Sequence, residues 1–293
     1  MTAATEPAAP VVDMDQLAER IVTQSAGVKE GEVVMISGLS SDAELLEALA
    51  RLGRETRANT ALAERIRHKY RLKNTTGLSL NALVDYDQPL DILQHLLVGS
   101  EGTLGFISAV TYDTVPDHPH KASALLVFPS VESCCRAVPV LKQQPVSAVE
   151  LLDRRSLRSV QNMPGMPLWV KGLSDNACAL LIESRAASQS LLHEQLQQIM
   201  ASIADFPLEQ QVDFSEDPAV YNQLWKIRKD TFPAVGAVRQ TGTTVIIEDV
   251  TFPVECLAEG VNRLLALFDR HGYDEAIIFG HALEGNLHFV FTQ

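Results

Sequence analysis

From about residue 120 to the end, the sequence alternates apolar runs of strand length with amphipathic segments of helix length, and the alternation closes on a hairpin. No other feature constrains the fold as much. Residues 122–128, 148–152, 177–183, 210–214, 243–252, 275–279 and 287–291 read as strands. Residues 130–141, 187–203, 218–235 and 254–271 read as helices, with Ser130 as a candidate N-cap. Strands and helices in that order predict an α+β fold, a ferredoxin-like antiparallel sheet backed by helices. Pro116-Asp117-His118-Pro119 is the natural seam in front of it.

The upstream part is less regular. Residues 1–12, rich in Ala and Pro, are expected to be disordered. Residues 13–26 read as a helix, with Met14, Leu17, Ile21 and Val22 on one face and Gly27 placed to end it. Residues 32–38 read as a buried strand, and Ser41-Asp42-Ala43-Glu44 as a helix start. Residues 55–70 are helical and charged, 74–81 a polar loop, and 90–97 a mixed apolar segment. The stretch Gly99-Ser100-Glu101-Gly102-Thr103-Leu104-Gly105 places three glycines in seven residues. Such a backbone turns tightly and lets another group approach it closely. It suits either a cofactor cradle or a plain strand connection.

Composition narrows the function. The 293 residues carry 37 Asp and Glu against 24 Lys and Arg, a formal charge of -13, which disfavours nucleic acid or an anionic membrane as partner. Cys134, Cys135, Cys178 and Cys256 include no Cys-x-x-Cys pair, so no iron–sulfur cluster is expected within the chain. The adjacent Cys134 and Cys135 read as packing residues. The N-terminus lacks the apolar core of a signal peptide, and no apolar run is long enough to span a bilayer, so a cytoplasmic location is expected.

The candidate chemistry lies near the C-terminus. His281 and His288 bracket the turn Glu284-Gly285-Asn286, and a hairpin there brings both imidazoles to one end. Two imidazoles suit a divalent metal, zinc or similar, although a catalytic site usually has three protein ligands. No His-Glu-x-x-His helix or nucleophile elbow supports a hydrolase.

Several motifs together resemble the FAD-linked oxidases of the vanillyl-alcohol-oxidase fold, of D-lactate and D-2-hydroxyglutarate dehydrogenase type. Lys69-Tyr70-Arg71-Leu72-Lys73-Asn74-Thr75-Thr76-Gly77-Leu78-Ser79-Leu80-Asn81 and Val98-Gly99-Ser100-Glu101-Gly102-Thr103-Leu104-Gly105-Phe106-Ile107 resemble the end of that family's FAD-binding domain. Val149-Glu150-Leu151-Leu152-Asp153, Trp225-Lys226-Ile227-Arg228, Glu248-Asp249-Val250-Thr251-Phe252-Pro253 and the segment from Gly280 to His288 resemble its C-terminal cap domain, in the same order. The closest look is to large bacterial members with an added C-terminal iron–sulfur domain, of which nothing is seen. On this resemblance residues 50–117 are the last part of the FAD-binding domain and 118–293 the cap, whereas 1–49 do not match. The Pro-Gly-Gly-Thr-like pyrophosphate loop is not found, so a partial chain that binds FAD weakly is expected.

The resemblance implies oxidation of a small D-2-hydroxy acid by hydride transfer to FAD, D-lactate first and D-2-hydroxyglutarate as the alternative, with the electron acceptor unspecified and a homodimer left open. It implies FAD contacts at Asn74, Gly77, Leu80, Gly99, Ser100, Glu101, Gly102, Gly105 and Ile107. It places metal ligands at His281 and His288 and a substrate-carboxylate clamp at Arg228. The family's third ligand, a glutamate beside its proposed histidine base, falls beyond residue 293. As an ordinary surface arginine, Arg228 would instead pair with Asp230 or Glu216. Ile247 stands where the D-2-hydroxyglutarate enzymes carry a lysine, which favours a smaller acid unless Arg239 substitutes. Trp225 and Tyr221 read as core. The rival from another class is a cap that serves as a non-catalytic binding surface.

Overall fold

The computed structural model describes residues 32–34, 43–75, 77–164 and 166–293. The helix expected over 13–26 lies outside them. The chain divides after Val115 into two compact units.

In the first unit, α1 (Ala43–Ala58), α2 (Thr60–Lys69), α3 (Ala82–Asp85) and α4 (Pro89–Leu97) surround a small core of Leu49, Leu78, Leu83, Ile92 and Leu96. The charged stretch 55–70 is two helices because Asn59 interrupts it, its side chain accepting from the Leu62 amide at 3.1 Å and capping the second. Residues 90–97 form a helix that starts on Pro89, where proline's fixed φ suits the first turn. Arg57 donates to the carbonyls of Leu83 (2.8 Å) and Tyr86 (2.7 Å), tying α1 to α3 and to the loop that follows it. A short antiparallel pair joins β1 (Glu32–Val34) to β2 (Val110–Tyr112). Residues 35–38 of the expected strand are outside the described residues.

The second unit has seven strands: β3 (His120–Phe128), β4 (Ala148–Asp153), β5 (Cys178–Ala186), β6 (Gln210–Ser215), β7 (Val245–Thr251), β8 (Ile277–His281) and β9 (Asn286–Thr292). They form one antiparallel sheet in the order β6-β3-β5-β4-β8-β9-β7. Its first four strands follow the ferredoxin-like order. Alternation along the strands feeds two separate cores. Leu126, Val149, Leu151, Leu180 and Ile278 pack one face against α5 (Val131–Leu141), α7 (Gln189–Ser202) and α9 (Leu257–His271). Leu125, Leu152, Leu181 and Phe279 pack the other against α8 (Pro218–Val238) and α6 (Arg154–Val160).

The helix α6 was not expected. Asp153, the last residue of β4, makes it by accepting from the Ser156 amide at 2.7 Å. Ser130 caps α5 as expected, accepting from the Ser133 amide at 3.1 Å. Cys134 and Cys135 lie buried in α5, and neither forms a disulfide. The β8–β9 hairpin turns through Gly285, at φ +64°, where a Cβ would stand 2.0 Å from the Phe252 carbonyl oxygen. Only glycine fits there.

Candidate active site

The sheet order sets four polar side chains in a row on the face covered by α8. In the register, Glu150 on β4 lies opposite His281 on β8, Phe279 opposite His288 on β9, and His288 opposite Asp249 on β7. His281 and His288 are therefore diagonal neighbours across the hairpin, and their rings meet edge to face with centres 5.2 Å apart. The expectation that the turn brings both imidazoles to one end is met, through the diagonal pair and not a directly facing one.

Each imidazole is held by a carboxylate. His281 donates from Nδ1 to Glu150 Oε1 at 2.7 Å, and His288 bonds through Nδ1 to Asp249 Oδ1. Asn286 donates to the other oxygen of Asp249 at 3.3 Å. A carboxylate on Nδ1 fixes the ring and leaves Nε2 to meet a ligand or take a proton. Glu150 is almost wholly buried and makes a second contact: Arg228 on α8 donates from Nε to its Oε2 at 2.6 Å. Burial pushes the Glu150 carboxyl up, but the His281 hydrogen bond and the Arg228 charge outweigh it and hold its pKa below the usual carboxylate value.

Arg228 is thus not a surface arginine. Asp230 pairs with Lys226, and Glu216 bonds His193 at 2.7 Å. The Arg228 guanidinium lies over the Phe279 ring, 4.4 Å from its centre, which holds its plane. Three residues earlier on the same helix face, Trp225 packs against the core and donates Nε1 to the buried Glu183 at 2.8 Å and to Ser123 at 3.2 Å. Tyr221 carries Lys121 over its ring at 4.6 Å. Arg239 is turned to backbone carbonyls, those of Gly236 (2.9 Å) and Thr243 (3.3 Å). Ile247 lies on β7 two residues before Asp249, on the same face by alternation, and is 45% exposed.

Glu150 and Asp249 carried no role in the sequence reading. Each stands in one of the motifs that carry the resemblance, and each precedes an apolar or strand-forming run. Only the pairing of β4 with β8 and of β7 with β9 shows that they orient the histidines.

Among the described residues, no group of three or more His, Cys, Asp or Glu side chains is arranged to hold a metal ion. The expected metal site is thus not formed as a ligand set of that kind. Two imidazoles sharing one ion at about 2.1 Å would have ring centres no more than roughly 6.5 Å apart. The 5.2 Å between the ring centres of His281 and His288 lies within that limit, but two imidazoles alone do not make the set.

The residues expected to contact FAD lie in the first unit. Gly99, Glu101 and Gly102 have φ of +80°, +51° and +79°, and the loop is closed by Thr103 donating to the Ser100 carbonyl at 2.9 Å from its amide and 2.6 Å from its hydroxyl. Ser100 is buried with its own hydroxyl unpartnered, Gly105 packs on Leu97, and Ile107 is half-buried beside the exposed Phe106. Asn74 closes a turn, donating to the Gly77 carbonyl at 2.9 Å, and the Leu80 amide donates to the Tyr70 hydroxyl at 3.1 Å. One open glycine, Gly102, near an orphaned buried hydroxyl suits the edge of a bound ring system.

Residues 117–293 match the family of FAD linked oxidases, C-terminal domain. The chain belongs to the FAD-linked oxidase family. Its relatives in that family include the mitochondrial D-lactate dehydrogenase [cytochrome] of Arabidopsis thaliana, 32% identical over 67% of this chain and 33% of that protein. The D-lactate dehydrogenase of Anaerostipes hadrus is 26% identical over 67% of this chain and 41% of that protein. The D-2-hydroxyglutarate dehydrogenase of Pantoea ananatis is 24% identical over 73% of this chain and 22% of that protein. This FAD-linked oxidase chain therefore spans well under half the length of these relatives. Among solved structures, an alkyldihydroxyacetonephosphate synthase aligns at 14% identity and a TM-score of 0.48, over 68% of this chain and 42% of that one. No described helix is long and apolar enough to cross a membrane.

Proposed function

We propose that this chain supplies the substrate side of an FAD-dependent oxidation of a small D-2-hydroxy acid, of D-lactate type. One observation carries the reading: Arg228 and His281 are bonded to the two oxygens of a single buried carboxylate, Glu150. Two groups tied to one carboxylate open onto the same part of the site, where the carboxylate and the α-hydroxyl of a 2-hydroxy acid can each meet one of them.

With Nε on Glu150, the guanidinium keeps its two Nη groups to fork a substrate carboxylate. His281, held at Nδ1, presents Nε2 to the hydroxyl and accepts its proton as the α-hydrogen leaves as hydride. Bound FAD supplies the hydride acceptor, and Gly99, Ser100, Glu101, Gly102, Gly105 and Ile107, with Asn74, Gly77 and Leu80, would hold it. Ile247 beside Asp249 offers no charge to a second carboxylate, which supports a monocarboxylate over D-2-hydroxyglutarate.

The purified chain is assayed with FAD and an electron-accepting dye against D-lactate, D-2-hydroxyglutarate and glycolate, with metal content and flavin absorbance measured alongside. D-lactate is expected to be preferred, and Arg228→Ala is expected to lower kcat/KM about a hundredfold or more. Turnover of none of the acids by a flavin-loaded chain overturns the reading and leaves the cap as a binding surface.

A further inference from the structure

The opposite face of β4 carries a cleft apart from the histidines. It encloses about 340 Å³ between the start of α5, the end of β4, the residues before β5, and α9. Two buried charged residues at its inner wall carry polar atoms with no hydrogen bond. Arg154 is 7% exposed, yet neither its Nε nor its Nη1 finds an acceptor. Asp153 is 1% exposed, and although its Oδ1 caps α6, its Oδ2 is unbonded. The other arginines here are settled: Arg155 on Asp269, and Arg158 on Asp175 at 2.8 Å. Asn176 and Asn262 add amide side chains at the rim.

A guanidinium taken out of water without an acceptor is strongly unfavourable, and so is an unbonded carboxylate oxygen beside it. Adjacent unmet groups of opposite demand call for one molecule that offers both an anionic acceptor and a donor. Asp269 and Asp175 are compensated by Arg155 and Arg158, which leaves Glu132 at the rim to disfavour a multiply charged anion such as phosphate more than a singly charged one. We infer that this cleft binds a small α-substituted monocarboxylate, whose carboxylate pairs with Arg154 and whose α-hydroxyl or α-ammonium group donates to Asp153. The site is independent of the flavin reading, since it shares no residue with the Glu150 cluster.

The test is thermal melting of the full chain with glycolate, glycine, acetate or inorganic phosphate, on the wild type, Arg154→Met and Arg228→Ala. Glycolate or glycine is expected to raise Tm by about 5 °C at a hundredfold excess over Kd, acetate less, and phosphate not at all. Which of the two works identifies a hydroxy acid or an amino acid. The shift should vanish in Arg154→Met and persist in Arg228→Ala. Without ligand, Arg154→Met should melt higher than the wild type, because it removes an unmet charge while keeping the stem. Should that variant not fold, amide NMR of the wild type provides the readout, with glycolate or glycine moving the Asn176 and Asn262 side-chain resonances first. No shift with either ligand, a shift that survives Arg154→Met, or one lost in Arg228→Ala overturns the inference.

Discussion

Glu150 and Asp153 lie three residues apart on one strand and meet opposite fates. Glu150 faces α8, and both its oxygens are bonded, to an imidazole and a guanidinium. Asp153 faces the other side, with one oxygen on a helix-capping amide and the other on nothing. Both are buried. Their environments move the pKa in contrary directions: the partners of Glu150 overcome its burial, whereas burial of Asp153 outweighs its Ser156 bonds and raises it. One strand therefore serves a closed polar cluster on one face and an unfinished one on the other. Satisfaction of buried polar groups, more than their burial, separates a finished site from one that awaits a ligand.

The sharpest way to break that contrast is Glu150→Ala. It strands Arg228, whose side chain is 16% exposed, and releases His281, which is 43% exposed. Loss of one partner from a buried pair costs about 3–5 kcal/mol, and the half-exposed imidazole brings the expected loss to about 2–4 kcal/mol. Urea unfolding measures it. A loss below the range of ordinary surface substitutions would mean that the cluster is not closed.

Acid titration separates the two carboxylates by sign. The pKa of Glu150 is lowered in the fold, so its contribution to stability is complete above the usual carboxylate pKa and is lost as pH falls through the lowered value. The pKa of Asp153 is raised, so between the usual and the raised values the native state holds a proton that the unfolded chain has released. Stability then declines as pH rises through that window. Melts from about pH 3 to 6 should show Glu150→Gln losing most against the wild type at the upper end and converging with it in acid. Asp153→Asn keeps a capping side chain and should gain against the wild type as pH rises. Parallel curves for the two variants would remove the contrast.

Much of the second unit was legible in its sequence because its central strands, buried on both faces, are near-continuous apolar runs of strand length between amphipathic segments. The seven strands fall where the pattern places them, to within a few residues. Helix α6 was missed because Asp153 serves two elements, ending a strand and capping a helix, and the apolar pattern shows only the first. The histidine pair was legible from Glu284-Gly285-Asn286, a local turn. Glu150 and Asp249 were not legible as partners, since they lie 131 and 39 residues from the rings they hold. Likewise, nothing in Arg228 distinguishes a partner 78 residues away from the nearer Asp230. Local periodicity shows elements, whereas the choice of ion-pair partner depends on strand order.

The smallest expected effect lies in the first unit, where Ser100 repeats the condition of Asp153 in neutral form: a buried oxygen without a partner. A bonded buried hydroxyl contributes about 1 kcal/mol, whereas an unbonded one costs free energy to bury. Ser100→Ala should therefore leave stability within about 0.5 kcal/mol of the wild type, or raise it, in the absence of flavin. The main chain of the turn tolerates the change, because Thr103 bonds the Ser100 carbonyl and not its hydroxyl. With FAD the sign should reverse, since the hydroxyl then has an acceptor to meet, and affinity measured by flavin fluorescence quenching should fall about tenfold. A loss of stability without flavin would show that the hydroxyl already has a partner, and Ser100 would then belong with Glu150 among the satisfied groups.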